Sequence, residues 1–244
     1  MNRRHFIAII AALLLLALVG VILWRVYQRP PHPLGCTPSD IDWQSVSLAQ
    51  APSVADLPDA VDMRGNYTPG NQGSQSSCVG WAASAALGRM LSPAFIYNQR
   101  TTSNCKRDAG MSLYNALEIV KRKGDCLELL MPYDPADACT QPDAAALADA
   151  ATRRISGYSV VFAQQGAASL DVLRGYLATG WTPLVAVPVY GSFFDNAAGT
   201  ITPHTDGERF YGGHAMLLVG YDGGGFWALN SWGPTWGHDG FAYL

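Results

Sequence analysis

Charge is scarce in this 244-residue sequence: Asp, Glu, Lys and Arg make up 14% of it, the formal net charge is -3, and no basic cluster occurs beyond the extreme N-terminus. A nucleic-acid-binding face needs a stripe of Lys and Arg to neutralise phosphates, so nucleic acid is not an expected partner. HExxH, paired CxxC and His-rich tracts are also missing, which removes the ligand sets of a metal-dependent hydrolase. A phosphate-cradling glycine loop is absent too; Asp222-Gly223-Gly224-Gly225 lies between two apolar runs and reads as a hairpin turn. Neither metal nor cofactor is expected. At 49% hydrophobic residues, the composition is far from that of a disordered chain, and the length suits one domain with a sizeable core.

One long apolar run is present. Residues 6-24, from Phe6 to Trp24, carry no charge, and at helical rise they approach bilayer thickness. This predicts a transmembrane anchor behind a short cytoplasmic tail, residues 1-5, with the bulk of the chain on the outer side, periplasmic in a Gram-negative bacterium. A cleaved signal peptide is the competing reading. Its apolar core is usually shorter and ends at a small-residue site, whereas Trp24, Arg25 and Tyr27 follow here. Residues 25-55 read as a Pro-rich and polar linker, stiff over Arg29 to Leu34, and the folded domain is expected over 56-244.

Five cysteines are an odd number, so four pairing in an exported protein would leave one thiol over. Cys36, Cys105, Cys126 and Cys139 admit one or two disulfides in an oxidising compartment, with three full pairings open. Ser76-Ser77-Cys78 opens a helix rich in small residues, placing Cys78 at its N-terminus. A second helix is signalled by Ser112 as cap, by Leu113, Ala116, Leu117 and Val120 on one face, and by Gly124 as the stop. A surface helix is read over 144-151 and another over 169-180. Short β-type runs follow over 183-189, 215-221 and 226-230, giving a helical half and then a β half.

A thiol is a nucleophile only as thiolate, which a helix N-terminus and a neighbouring imidazolium both stabilise. Cys78 has the first by position; His214, 136 residues later at the start of a β-type run, is the candidate for the second, and Asn230 closes the next run. His5, His32, His204 and His238 sit in no motif and read as structural. The stretch Asn71-Gln72-Gly73-Ser74-Gln75-Ser76-Ser77-Cys78 resembles the papain-family segment in which a Gln stands six residues before the nucleophile. Gly213-His214-Ala215 resembles that family's His segment, and Asn230-Ser231-Trp232-Gly233 its Asn-Ser-Trp-Gly signature. The resemblance spans residues 58-244.

It implies an α+β, two-lobed papain-like fold, a helical lobe against a β-barrel-like lobe, with the cleft between. It further implies a cysteine-type peptidase acting on peptides or proteins. Cys78 would attack the carbonyl, His214 would carry the proton, Asn230 would orient the imidazole, and Gln72 would donate to the oxyanion. Trp232 would shield the His–Asn bond, while Gly110, Met111, Val187 and Gly213 would line the substrate cleft. Gln75 stands where the family has a disulfide-forming Cys, so rigidity at that loop must come from elsewhere. No long helical propeptide of the usual papain type fits between the apolar run and Leu57, which leaves residues 36-55 as the stretch that could cover the cleft. Transpeptidation or amide hydrolysis by the same triad, and a silent membrane-anchored peptide-binding module, are the alternative readings.

Overall fold

In a computed structural model the described residues are 32-244, except 40, 51, 54, 102-103, 162-166 and 196-197. The expected cytoplasmic tail and anchor, residues 1-24, lie outside them. Among the described residues no helix is long and apolar enough to cross a membrane.

Strand β3 (Phe210–Tyr221) is the spine of the β half. Alternation along a strand sends His214, Met216 and Leu218 to one face and Ala215, Leu217 and Val219 to the other. Every residue from His214 to Tyr221 is buried, so both faces are covered. Strand β2 (Leu184–Tyr190) pairs antiparallel with the first part of β3, setting Val187 opposite His214. Strand β4 (Phe226–Leu229) pairs with the later part, with Leu229 opposite Leu217. The two-residue β1 (Val61–Asp62) and the C-terminal β5 (Phe241–Tyr243) complete a five-stranded antiparallel sheet. The glycine-rich run between β3 and β4 is the expected turn, closed by the Asp222 amide donating to the Gly225 carbonyl at 3.1 Å.

Helix α1 (Cys78–Leu87) packs against both β3 and the short helix α2 (Pro93–Tyr97). Its small residues allow this: a Cβ on Gly80 would stand 2.9 Å from the Pro93 carbonyl oxygen. Helix α3 (Leu113–Lys123) has the expected ends. The Ser112 hydroxyl accepts from the Asn115 amide, Lys121, Arg122 and Lys123 face the negative end of the helix dipole, and Gly124 stops it at φ +89°. Helices α4 (Ala144–Ala150), α5 (Ala167–Ala178) and α6 (Gly191–Asp195) follow. Helix α4 is not purely superficial, since Ala146 and Ala150 are fully buried. Helix α2 was not foreseen because all five of its residues are buried, which leaves no amphipathic stripe to detect.

One apolar cluster fills the helical half around Cys78, Phe95, Ile96, Met111 and Val120; another lies on the far face of β3 around Leu177, Phe193, Met216 and Trp232. Of the expected disulfides one is present, Cys105–Cys139, and Cys36, Cys78 and Cys126 are free thiols. The described part of residues 25-55 packs on the domain, including a 3-10 turn at Trp43–Ser45 and a bridge from Leu48 to Val160. The end of α3 is sterically fixed: a Cβ on Gly124 would fall 1.8 Å from the Ala150 carbonyl oxygen. Gly124→Ala is therefore expected to cost at least about 2 kcal/mol of stability in urea denaturation. An unchanged midpoint would contradict this packing.

Candidate active site

His214 is fully buried on β3 and Asn230 is the first residue past β4; the antiparallel pairing brings the imidazole Nε2 to 2.7 Å from Asn230 Oδ1. The orientation of the Asn230 amide follows from a second contact, since the Ser231 backbone N–H donates to the same oxygen at 2.8 Å. An oxygen that accepts twice requires Nε2 to carry the proton, which leaves Nδ1 as the basic nitrogen. Nδ1 is buried and has no hydrogen-bond partner.

Ser231 also joins this pair to Gln72. Its hydroxyl donates to Gln72 Oε1 at 2.6 Å and its carbonyl accepts from the Gln72 amide at 2.8 Å. Gln72 Oε1 is thus engaged, and Nε2 points the other way, donating to the carbonyls of Leu34 (3.1 Å) and Gln75 (2.8 Å). Tyr133 ties the same loop together, donating to the Gln72 carbonyl at 2.9 Å and meeting the Ser77 hydroxyl at 2.6 Å.

Cys78 is the first residue of α1. The Ser77 side chain, engaged with Tyr133, does not cap the helix, and the Val79 and Ala215 backbone amides face the Cys78 sulfur. In place of a disulfide at Gln75, a carboxylate holds the loop: Asp108 accepts from the Ser76 amide, the Ser76 hydroxyl and the Tyr97 hydroxyl at about 2.8 Å each. Gln75 itself donates to the Asp137 carbonyl at 3.2 Å. Asp108 and Ser231 were not foreseen as site residues; nothing local in the sequence marks the first, and the second was visible only as part of a motif.

The cleft beside these groups is filled by the chain itself. Residues 32-37 run through it as a strap. The Trp232 indole N–H donates to the Pro33 carbonyl at 2.9 Å, and His32 stacks on the Trp232 ring with centroids 4.5 Å apart. The Gly213 carbonyl accepts from the Gly35 and Cys36 amides, Met111 N–H donates to the Gly35 carbonyl, and Thr37 N–H donates to the Met111 carbonyl. Glycines make room for this. A Cβ on Gly110 would stand 2.3 Å from Gly35 O, one on Gly213 2.4 Å from Cys36 O, and one on Gly35 2.0 Å from Ser76 O. Gly110, Met111, Gly213 and Trp232 all touch the strap; Val187 takes no part in these bonds and packs in the apolar cluster behind His214.

A family model described as "Papain family cysteine protease" matches residues 57-244. The chain belongs to that family. Among solved structures it is similar to xylellain, a cysteine protease from Xylella fastidiosa, at 28% identity and TM-score 0.77, covering 88% of this chain and 90% of that one. A Carica candamarcensis cysteine protease in complex with E-64 shares the fold at 23% identity, TM-score 0.57 and 77% and 88% coverage. A cathepsin B-like protein of Giardia intestinalis is 46% identical over 70 residues, 27% of this chain and 23% of that protein. The chain thus spans about a quarter of the length of the first curated relatives it matches. The papain-like α+β architecture is as expected from the resemblance.

In this family member the strap shields Cys78 and His214 alike from water. Burial pushes the Cys78 thiol far above its ordinary value, outweighing the amides that face the sulfur. Burial also depresses His214 to about 4, despite the opposing Asn230 hydrogen bond. Both groups are neutral at pH 7. A histidine held neutral when folded and ordinary when unfolded stabilises the fold fully above about pH 6.5. That contribution is lost as pH falls through the window down to about 4, because the unfolded chain then binds the extra proton. A loss of roughly 3 kcal/mol is expected between pH 7 and pH 4 in the native chain, and a smaller one in His214→Gln. Equal losses in the two would contradict this account of His214.

Proposed function

We propose that the chain is a latent thiol peptidase in which Cys78, His214, Asn230 and Gln72 carry the chemistry. The observation that carries the reading is the seating of the Leu34 carbonyl. It accepts from Gln72 Nε2, the donor that the family resemblance assigns to the oxyanion, while the neighbouring strap residues take the Met111 and Gly213 backbone groups assigned to substrate. The strap therefore occupies a peptide-binding groove, and an extended peptide in its place would present a carbonyl to the same donor.

With the strap displaced, water and substrate return to the site, and the burial penalty on the Cys78 thiolate and the His214 imidazolium is relieved. Cys78 transfers its proton to His214 Nδ1 and attacks the substrate carbonyl carbon. The carbonyl becomes an oxyanion that Gln72 Nε2 stabilises, and Ser231 keeps that donor aimed by engaging Oε1. The imidazolium returns the proton to the leaving amine; water then hydrolyses the thioester by the reverse sequence. Asn230 holds Nε2–H throughout, and Trp232, centroid 4.7 Å from the imidazole, covers that bond.

The reading places this domain outside the cytoplasm, held to a membrane by residues 6-24. Nineteen uncharged residues and the Cys105–Cys139 disulfide both support it, since disulfides persist in oxidising compartments.

Hydrolysis of a fluorogenic peptide library by the reduced full chain tests the proposal. Cys78→Ala and His214→Ala are expected to abolish turnover, and Gln72→Ala to lower kcat/KM by about 10²-10³. Gly35→Ala drives a methyl into the Ser76 carbonyl from the strap side only, and is expected to raise activity at least about tenfold by unseating the strap. A reduced, folded Gly35→Ala chain that hydrolyses nothing in the library would sink the peptidase reading.

A further inference from the structure

The strap carries a thiol into the cleft. Cys36 sits between the Gly213 carbonyl, which accepts from its amide at 3.0 Å, and Met111, with which it forms a parallel bridge. Its side chain packs against the cluster containing Cys78, Met111 and Ala215, and its backbone amide faces the Cys78 sulfur. Cys105 and Cys139 are paired with each other, and Cys126 is buried at the start of the segment after α3. Cys36 and Cys78 are thus two free thiols in one enclosed space, one on the strap and the other the proposed nucleophile. Packing alone asks only for a small side chain at position 36.

We propose that Cys36 is a resolving thiol for Cys78: a disulfide between them locks the strap in the cleft, and its reduction frees the nucleophile. The inference rests on the reading of Cys78 as the reactive thiol. When the strap lifts, Cys78 ionises beside His214 and attacks a small disulfide such as oxidised glutathione, forming a mixed disulfide and releasing one thiolate. As the strap returns, Cys36 ionises while still wetted, and its thiolate attacks the Cys78 sulfur and displaces the second. Two protein thiols and one small disulfide become one protein disulfide and two small thiols; the two electrons and two protons pass to the latter. In the seated state burial holds Cys36 up at about 11, so a reduced strap is slow to react until it moves.

The decisive measurement is disulfide mapping of the full chain. The protein is equilibrated in glutathione buffers of increasing oxidation, quenched in acid, blocked with N-ethylmaleimide and digested without reduction for mass spectrometry. A linked peptide containing Cys36 and Cys78 is expected to accumulate. Labelling of Cys78 by an alkylating epoxide is expected to fall in parallel and to recover at least tenfold with dithiothreitol. In Cys36→Ser no such peptide forms, and Cys78 is recovered free or as its glutathione adduct. Recovery of Cys36 and Cys78 in the native chain as free thiols or separate glutathione adducts, with Cys105–Cys139 intact, would overturn the proposal. Peptide hydrolysis by the reduced chain without the linked peptide overturns the latch and leaves the peptidase standing. The linked peptide in a chain that hydrolyses nothing supports the latch and removes the peptidase.

Discussion

The hydrogen bond from His214 Nε2 to Asn230 Oδ1 is the constraint on which the site depends. Both residues are buried, so neither polar group can turn to water, and an unpaired one would cost about 1–3 kcal/mol. Pairing of β3 with β4 brings the two residues together, and slipping it by one residue would send His214 to the opposite face. The same oxygen accepts from Ser231, whose other two polar groups hold Gln72. A single three-residue stretch after β4, Asn230 to Trp232, therefore sets the imidazole tautomer, aims the amide donor and roofs the imidazole.

What the strap adds is chiefly electrostatic. Two features that favour a thiolate at Cys78 are in place: a helix N-terminus without a side-chain cap and two backbone amides facing the sulfur. Covering them with residues 32-37 reverses the balance, because excluding water penalises both ionised forms more than the amides and the Asn230 bond can offset. On the proposed reading the cleft is thus preorganised and unreactive at the same time, and a few backbone hydrogen bonds separate the two conditions.

Several parts of this were legible in the sequence because their signals are local. Helix α3 announces itself through Ser112, an apolar face and Gly124, and the β3–β4 turn through three consecutive glycines. Three short motifs pointed to Gln72, Cys78, His214 and Asn230. What stayed hidden depends on distant packing. Pro33 and Leu34 read as spacer, since proline fixes their own backbone and says nothing of where they dock. His32 reads as structural, yet it stacks on Trp232. Asp108 replaces a missing disulfide by gripping Ser76 across 32 residues, and the choice of Cys105–Cys139 among the open pairings is set by the fold. Val187, assigned to the cleft by resemblance, lies in the ladder opposite His214 and packs behind it.

The most direct test of this account is the pH dependence of Cys78 alkylation by iodoacetamide in the reduced native chain and in Gly35→Ala. The account predicts that the native chain reacts slowly at neutral pH and accelerates only in alkali, where a buried thiol finally ionises. The variant should react fast at pH 7, with its rate falling as acid protonates the exposed thiolate–imidazolium pair. Superimposable profiles would contradict the claim that the strap holds the Cys78 thiol neutral.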